Sequence, residues 1–344
     1  MGRSELARQS VSFVSKFSSG HWMGNMKAIK TTIAAVALGG MAFVTGAANA
    51  GSLEPQGWTA GIALGAALPE GVYFIDTASV GGWRGIDDSK SNLGINIPLI
   101  AWSTPWTIAG GRVEVLAAAP GISGTVPDPA GLPFSWSGRD YTQLYNPVGF
   151  VGAAWDLGGG FGFSAFIGGW APIDNQLRQF GFNSGVLSER VNLAYAANGW
   201  KFAANLTFGQ PGTSNSQTVW NNVLGYSGNQ ILPSYFNYDL TATKTIGKWE
   251  VGLVGFGSTD TSKAAWNSYG NLVHGLPWGE QSQFALGGLV GYSFTGITVQ
   301  VYGTTDVYSS NYYNLSDGSK SYETRVWTRA IVPLWNPPVL EPLK

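Results

Sequence analysis

The sequence predicts an all-β protein, a transmembrane up-and-down antiparallel β-barrel of about 12 strands with short periplasmic turns and longer extracellular loops. Three observations predict it. Apolar and polar residues alternate through segments of about 10–15 residues, longer than most strands of soluble sheets and long enough to cross a bilayer at a tilt. The connections between these segments are alternately tight and long. Only 11% of the residues are charged, against about 25% in a usual soluble domain.

Read in order, the chain begins with an address. From Met26 it runs MKAIKTTIAAVALGGMAFVTGAANA. Lys27 and Lys30 form a positive start, Thr31 to Phe43 an apolar run, and Ala48-Asn49-Ala50 a small-residue cleavage site. Residues 1–50 are therefore expected to be an N-terminal extension plus a signal peptide cut after Ala50. The alternative is an uncleaved membrane anchor. No later stretch holds the roughly 18 consecutive apolar residues of a transmembrane helix. The segment 51–70, GSLEPQGWTAGIALGAALPE, is charged only at Glu54 and Glu70. It has two open readings, a plug folded into the barrel or a disordered periplasmic leader.

The barrel is expected over 71–335, followed by a C-terminal tail, 336–344. Its strands are expected at about 71–81, 91–103, 105–119, 141–156, 160–170, 186–197, 200–209, 233–246, 248–258, 282–294, 297–308 and 321–335. Tight turns fall at Ser103-Thr104-Pro105, Leu157 to Gly160, Asn198-Gly199, Gly247-Lys248 and Thr295-Gly296. Asn-Gly suits a type I′ turn, whose two central residues both need positive φ. Folding about Asn198-Gly199 pairs Ala197 with Trp200, Tyr195 with Phe202 and Leu193 with Ala204 on one apolar face. The hairpins at 247–248 and 295–296 sort their residues in the same way, and a one-residue slip would mix the faces. The apolar stripe is expected to face lipid and the polar stripe a lumen. Pro98 suggests a bulge. Strands 71–81 and 141–156 are apolar on both faces in places, which suggests material packed inside.

Trp102, Trp106, Trp155, Trp200 and Trp249 flank the tight turns, as an aromatic girdle at a membrane interface would. The ionisable residues of the polar stripe are Arg112, Glu114, Arg190, Lys201, Asp239, Glu250, Asp306, Arg325 and Arg329, with Asp76 added if the first strand follows the same rule. They are candidate pore-lining groups that narrow the conduit and orient solute dipoles. The competing reading is that they pair with one another to solvate the interior. Arg112 and Glu114 form the sharpest pair, and Arg325 and Arg329 could face Asp76 or Tyr73 across the seam. Aromatic residues crowd the long loops: Trp136, Trp220, Tyr226, Trp266, Tyr269, Trp278, Tyr312 and Tyr313. They suit capture of aromatic solutes, loop packing or contact with lipopolysaccharide equally well.

Several chemistries are disfavoured. The chain has no Cys, hence no disulfide, thiolate nucleophile or Cys-based zinc site. Its formal net charge of −1 lacks the basic face that nucleic acid requires. His274 is the single His after the expected cleavage, too few for a His metal cluster. GGGFG at 158–162 lacks the Lys and Ser/Thr of a phosphate loop and reads as a turn. No catalytic residue, metal or cofactor is expected.

GWTAGIALGAALPEGVYFIDTASVGGWRG, with SNLGINIPLIAWSTPWTIAGGRVEV behind it and RVWTRAIVPLW at the end, resembles the outer-membrane proteins linked to the meta-pathway of phenol degradation, the SphA-like transporters. The resemblance covers most of 57–335. It implies a Gram-negative outer-membrane barrel for passive uptake of small aromatic or other hydrophobic compounds. It also implies contact with outer-membrane lipid and lipopolysaccharide, and insertion by the barrel-assembly machinery. The alternative is a general porin-like or structural barrel without substrate preference. A barrel hydrolase and a secreted β-sandwich are the other rivals. One departure stands out. NPPVLEPLK follows Trp335, where such barrels commonly finish on an aromatic residue, and Trp335 shares parity with Arg325 and Arg329.

Overall fold

A computed structural model describes residues 52–84, 90–126, 139–174, 184–212, 229–263, 265–268, 271–274, 280–310, 320 and 322–337. The expected signal peptide and most of the C-terminal tail lie outside the described residues, as do the loop aromatics apart from the backbone of Trp266.

In chain order the strands are β1 (Gly71–Arg84), β2 (Lys90–Ile108), β3 (Gly111–Ala118), β4 (Gly121–Val126), β5 (Arg139–Leu144), β6 (Val148–Gly158), β7 (Phe161–Trp170), β8 (Val186–Ala197) and β9 (Trp200–Pro211). Then come β10 (Asn229–Ile231), β11 (Tyr235–Ile246), β12 (Trp249–Asp260), β13 (Ala265–Ser268), β14 (Asn271–His274), β15 (Ser282–Ser293), β16 (Thr298–Ser310) and β17 (Thr324–Trp335). β3 and β4 are two parts of one wall strand, as are β5 and β6. The wall is therefore a twelve-stranded antiparallel ladder in which β1 pairs with both β2 and β17, closing the ring. Closure leaves no edge, which a lipid environment demands because it offers backbone groups no partner. β10, β13 and β14 form a separate small sheet.

The hairpin registers follow from turn chemistry. Asn198 and Gly199 both have positive φ (54° and 75°), and the ladder pairs Ala197 with Trp200 and Tyr195 with Phe202. On β8 the residues Ser188, Arg190, Asn192 and Ala194 are buried inside, while Leu187 and Val191 are exposed outside. β11–β12 and β15–β16 sort alike, with Ile246 opposite Trp249 and Val290 opposite Val301. Leu253, Leu286, Val290 and Val301 are exposed on the outer face, an apolar band suited to acyl chains.

Four expectations need correction. The second turn is not at Ser103-Thr104-Pro105. β2 runs on to Ile108 and turns at Ala109-Gly110, both with positive φ (49° and 80°). Residues 104–106 instead bulge out of register. There the Thr104 hydroxyl donates to Val113 O at 2.9 Å and accepts from Trp106 N at 3.2 Å. Pro98 makes no bulge with β1, where it pairs in register with Asp76. Its missing N–H is accommodated because the neighbouring strand breaks at residues 119–120, between β3 and β4. β4 and β5 also extend the wall beyond the strand ends expected from sequence. Finally, Trp335 does not share the facing of Arg329. The β1–β17 register shifts where Val72 meets Trp335 and Tyr73 meets Pro333. That extra residue turns Trp335 outward, where it is half exposed.

Candidate functional site: the barrel lumen

The segment Ser52–Glu70 precedes β1 and lies against the inward faces of the wall strands. Its contacts run from one end of the lumen to the other. Near the loop end, the Tyr145 hydroxyl donates to Leu53 O at 2.7 Å and Asn237 Nδ2 to Ser52 Oγ at 2.8 Å. Near the turn end, Ser103 Oγ donates to Leu68 O at 2.9 Å and Arg112 Nη1 lies 3.4 Å from Glu70 Oε2.

Between these ends the segment is held by charge-assisted hydrogen bonds, the stronger kind in a low-dielectric interior. Asp239 accepts from the backbone N–H of Gly57 and of Thr59, each at 2.9 Å, and from the Thr59 hydroxyl at 2.5 Å. Arg329 donates to Trp58 O at 2.7 Å and Ala60 O at 2.5 Å, and its Nε reaches Thr77 Oγ1 at 2.9 Å. Tyr302 and Gln300 brace that guanidinium at 3.0 Å each, and the Tyr302 hydroxyl donates to Gly57 O at 2.9 Å. Lys201 Nζ bridges Gly61 O at 2.7 Å and Glu250 Oε1 at 2.6 Å. Glu250 also accepts from Thr243 at 2.6 Å and Gln300 at 3.1 Å. Asn205 Nδ2 donates to Thr59 O at 3.0 Å and Ile62 O at 2.9 Å. Arg190 forms an ion pair with Glu54 and lies over the rings of Trp58 and Phe150, 4.6 and 4.7 Å from their centroids. Such stacking on aromatic faces suits a weakly hydrated guanidinium.

One contact depends on glycine. A Cβ on Gly65 would lie 2.6 Å from Ala194 N, and one on Gly162 would lie 2.4 Å from Gly65 O. Backbone therefore meets backbone where the segment crosses β7 and β8, and Ser164 Oγ donates to Leu64 O at 2.7 Å beside it.

Of the ten ionisable residues singled out by sequence, nine project inward. Seven of them, Arg112, Glu114, Arg190, Lys201, Asp239, Glu250 and Arg329, surround the segment. Arg112 and Glu114 share a face but bind different partners. Arg112 takes Thr104 O at 2.9 Å and faces Glu70, while Glu114 accepts from Leu68 N at 2.9 Å. Asp306 and Arg325 sit nearer the loop end. Asp306 accepts from Gln283 and from Glu323 N, and Arg325 binds Glu323 and Ser79.

Asp76 is the exception. β1 buries Tyr73, Ile75, Thr77 and Ser79 inside, so Asp76 lies on the outer face with Val80. It accepts from Asn96 Nδ2, also on the outer face, at 2.8 Å. Arg325 and Arg329 accordingly meet Ser79 and Thr77 rather than Asp76 or Tyr73. Sequence reasoning missed Tyr145, Asn205, Gln300 and Tyr302, which are uncharged. Strand parity already puts Asn205 and Gln300 on the polar face, and Tyr302 two positions on from Gln300, but candidates chosen by charge pass over all three.

The five Trp residues lie on the outer face at the turn end. Trp106, Trp200 and Trp249 are exposed. Each of the five meets another ring, as in Trp102–Trp106 at 5.3 Å and Trp249–Tyr292 at 4.8 Å.

A closed twelve-stranded barrel, apolar outside and threaded by its own N-terminal segment, defines the class: a β-barrel of the outer-membrane type. The chain belongs to the family described as "Putative MetA-pathway of phenol degradation", whose model matches residues 57–319. An outer membrane channel from Pseudomonas putida F1 shares the fold at a TM-score of 0.56 and 10% identity, over 78% of this chain and 98% of its own. A FadL homologue from Pseudomonas aeruginosa (TM-score 0.42, 9% identity, 84% and 100% covered) and the toluene transporter TodX from Pseudomonas putida (0.38, 9%, 78% and 90%) are more distant in shape. No curated protein matches the sequence.

Proposed function

We propose that this protein is an outer-membrane channel for passive uptake of small hydrophobic or aromatic compounds, and that Ser52–Glu70 is the plug of its lumen. The observation that carries the reading is the plug's contact with an apolar inner wall. Barrel interiors are usually polar, yet Ile75, Ile97, Leu99 and Leu116 are buried on the inner side. An open water-filled pore would have no use for them. A small uncharged solute would. Membership of a phenol-degradation family points to the same class of compound. Arg112, Glu114, Arg190, Lys201, Asp239, Glu250 and Arg329 then act first by seating the plug, while Asp306 and Arg325 line the lumen nearer the loops. The Trp girdle sets the barrel's depth at the periplasmic interface. Residues 1–50 serve as the export signal.

The test is growth at limiting concentration on a panel of aromatic carbon sources, with and without the gene for this protein. Slower growth on one or more of them in its absence is expected. Equal growth on every one would remove the uptake reading.

A further inference from the structure

Between its two ends the plug is hydrogen-bonded to the wall on one side only. From residue 55 to residue 67 its hydrogen bonds to the wall go to β7, β9, β11, β16 and β17, through Ser164, Lys201, Asn205, Asp239, Thr241, Gln300, Tyr302 and Arg329. Among the described residues, no hydrogen bond joins this stretch to β1, β2, β3 or β6. There the side-chain contact is apolar, with Ile62 and Leu68 of the plug opposite Ile75, Ile97, Leu99 and Leu116, and the backbone of Leu68 marks the seam's end, bound by Glu114 and Ser103. A cavity of about 50 Å³ lies between them. Arg190 and Glu114 border it, but each is occupied by the plug, at Glu54 and at Leu68 N.

The two sides would open at different cost. Parting the polar side strips Asp239 of its donors and takes a plug carbonyl from Lys201 and two from Arg329, and a buried charge short of partners is strongly penalised. Parting the apolar side along residues 55–67 breaks no hydrogen bond, while Leu68 stays tied to Glu114 and Ser103 at the turn end. An apolar solute entering there replaces the contacts it displaces, so little free energy is lost.

We infer that the seam between the plug and the β1–β3 wall is the solute-binding path, and that it takes one small uncharged apolar molecule, of the order of a single aromatic ring. The cavity at rest is smaller than the ~150 Å³ apolar cavity known to bind benzene. The solute therefore widens the seam by pushing the plug toward its polar anchors. This inference rests on the channel reading but is tested separately from it.

The test uses toluene as probe and the full-length protein in vesicles with a lipopolysaccharide outer leaflet, entry being the rate above that of protein-free vesicles, because toluene also dissolves in the bilayer itself. Leu99→Trp fills the seam, and toluene entry is expected to fall about tenfold while heat-modifiable migration in gels shows an intact barrel. Unchanged entry in that variant, with entry through the unsubstituted protein, overturns the seam and leaves the channel. No entry through the unsubstituted protein overturns the channel instead. A second measurement decides the seam if Leu99→Trp does not fold. The chain has no native Cys, so Ala101→Cys on the seam and Thr241→Cys on the polar side each carry a single thiol. N-phenylmaleimide is expected to label Ala101→Cys, and toluene to slow that labelling, with Thr241→Cys unaffected. Protection of Thr241→Cys alone, or of neither thiol, overturns the seam.

Discussion

Arg190 and Glu54 stand 136 positions apart in sequence and form a single ion pair in the lumen, with side chains 1% and 2% exposed. The pair joins β8 to a segment that has no regular secondary structure of its own. A pair so buried offsets its own desolvation and adds little net stability, but breaking it leaves a bare charge. Arg190→Ala should destabilise the barrel by about 3–5 kcal/mol, read as a lower urea midpoint of unfolding in detergent. Arg190→Met with Glu54→Gln should recover most of that loss, because the thioether can pack between Trp58 and Phe150. Additive losses in the double variant would mean the two residues act independently.

Arg329 is the other clamp, fixing two consecutive stretches of plug backbone at Trp58 O and Ala60 O. Its substitution by Ala should loosen the plug, and deletion of residues 52–68 should remove it. Swelling of proteoliposomes in arabinose should rise modestly for the first and strongly for the second. The barrel should persist in both, since its ladder closes through β1–β17 and β1–β2 without the segment. A deletion protein that admits no sugar would show that something else closes the lumen.

The Asp76–Asn96 pair faces outward in the middle of β1 and β2. Polar side chains at that depth meet acyl chains and gain only each other. Replacing both, as Asp76→Leu with Asn96→Leu, should raise unfolding stability by about 1 kcal/mol. Lower stability in liposomes would indicate that the pair has a polar partner on that face.

Turn chemistry offers a paired check. Ala109 and Asn198 hold the same left-handed conformation at φ 49° and 54°. Ala has no side-chain compensation for it, whereas Asn tolerates it. Ala109→Asn should stabilise the barrel by about 1 kcal/mol and Asn198→Ala should destabilise it by a similar amount. Both are readable as opposite shifts of the unfolding midpoint. Shifts of the same sign would contradict the assignment of the second turn to Ala109-Gly110.

The strand pattern was legible because alternation is a property of each strand by itself. Leu193, Tyr195 and Ala197 fall on one face whatever lies beyond them. The turn at Asn198-Gly199 was legible for the same local reason. The turn at Ala109-Gly110 was passed over because Pro105 is the stronger sequence signal, yet a bulge absorbs it. The condition on Asp76 fails because β1 is apolar on both sides, with Phe74 and Val80 outside and Tyr73 and Ile75 inside, so its parity cannot be read locally. Trp335 was misread because one unpaired residue in β17 reverses parity, and nothing local announces it.

Sequence alone determined a barrel of long alternating strands, its lipid-facing stripe and the ionisable residues of its interior. Those features arise from the two-residue period of a strand and from the cost of polar groups in hydrocarbon. Tertiary structure alone decided what the interior holds. Ring closure brings Asp239, Arg329 and Arg190 round one short segment, and no local pattern encodes a meeting of groups so far apart in the chain. It also decided that the polar side anchors the middle of that segment while the β1–β3 side binds it only at Leu68 and Glu70, because hydrogen bonds need partners at a distance and an angle that closure sets.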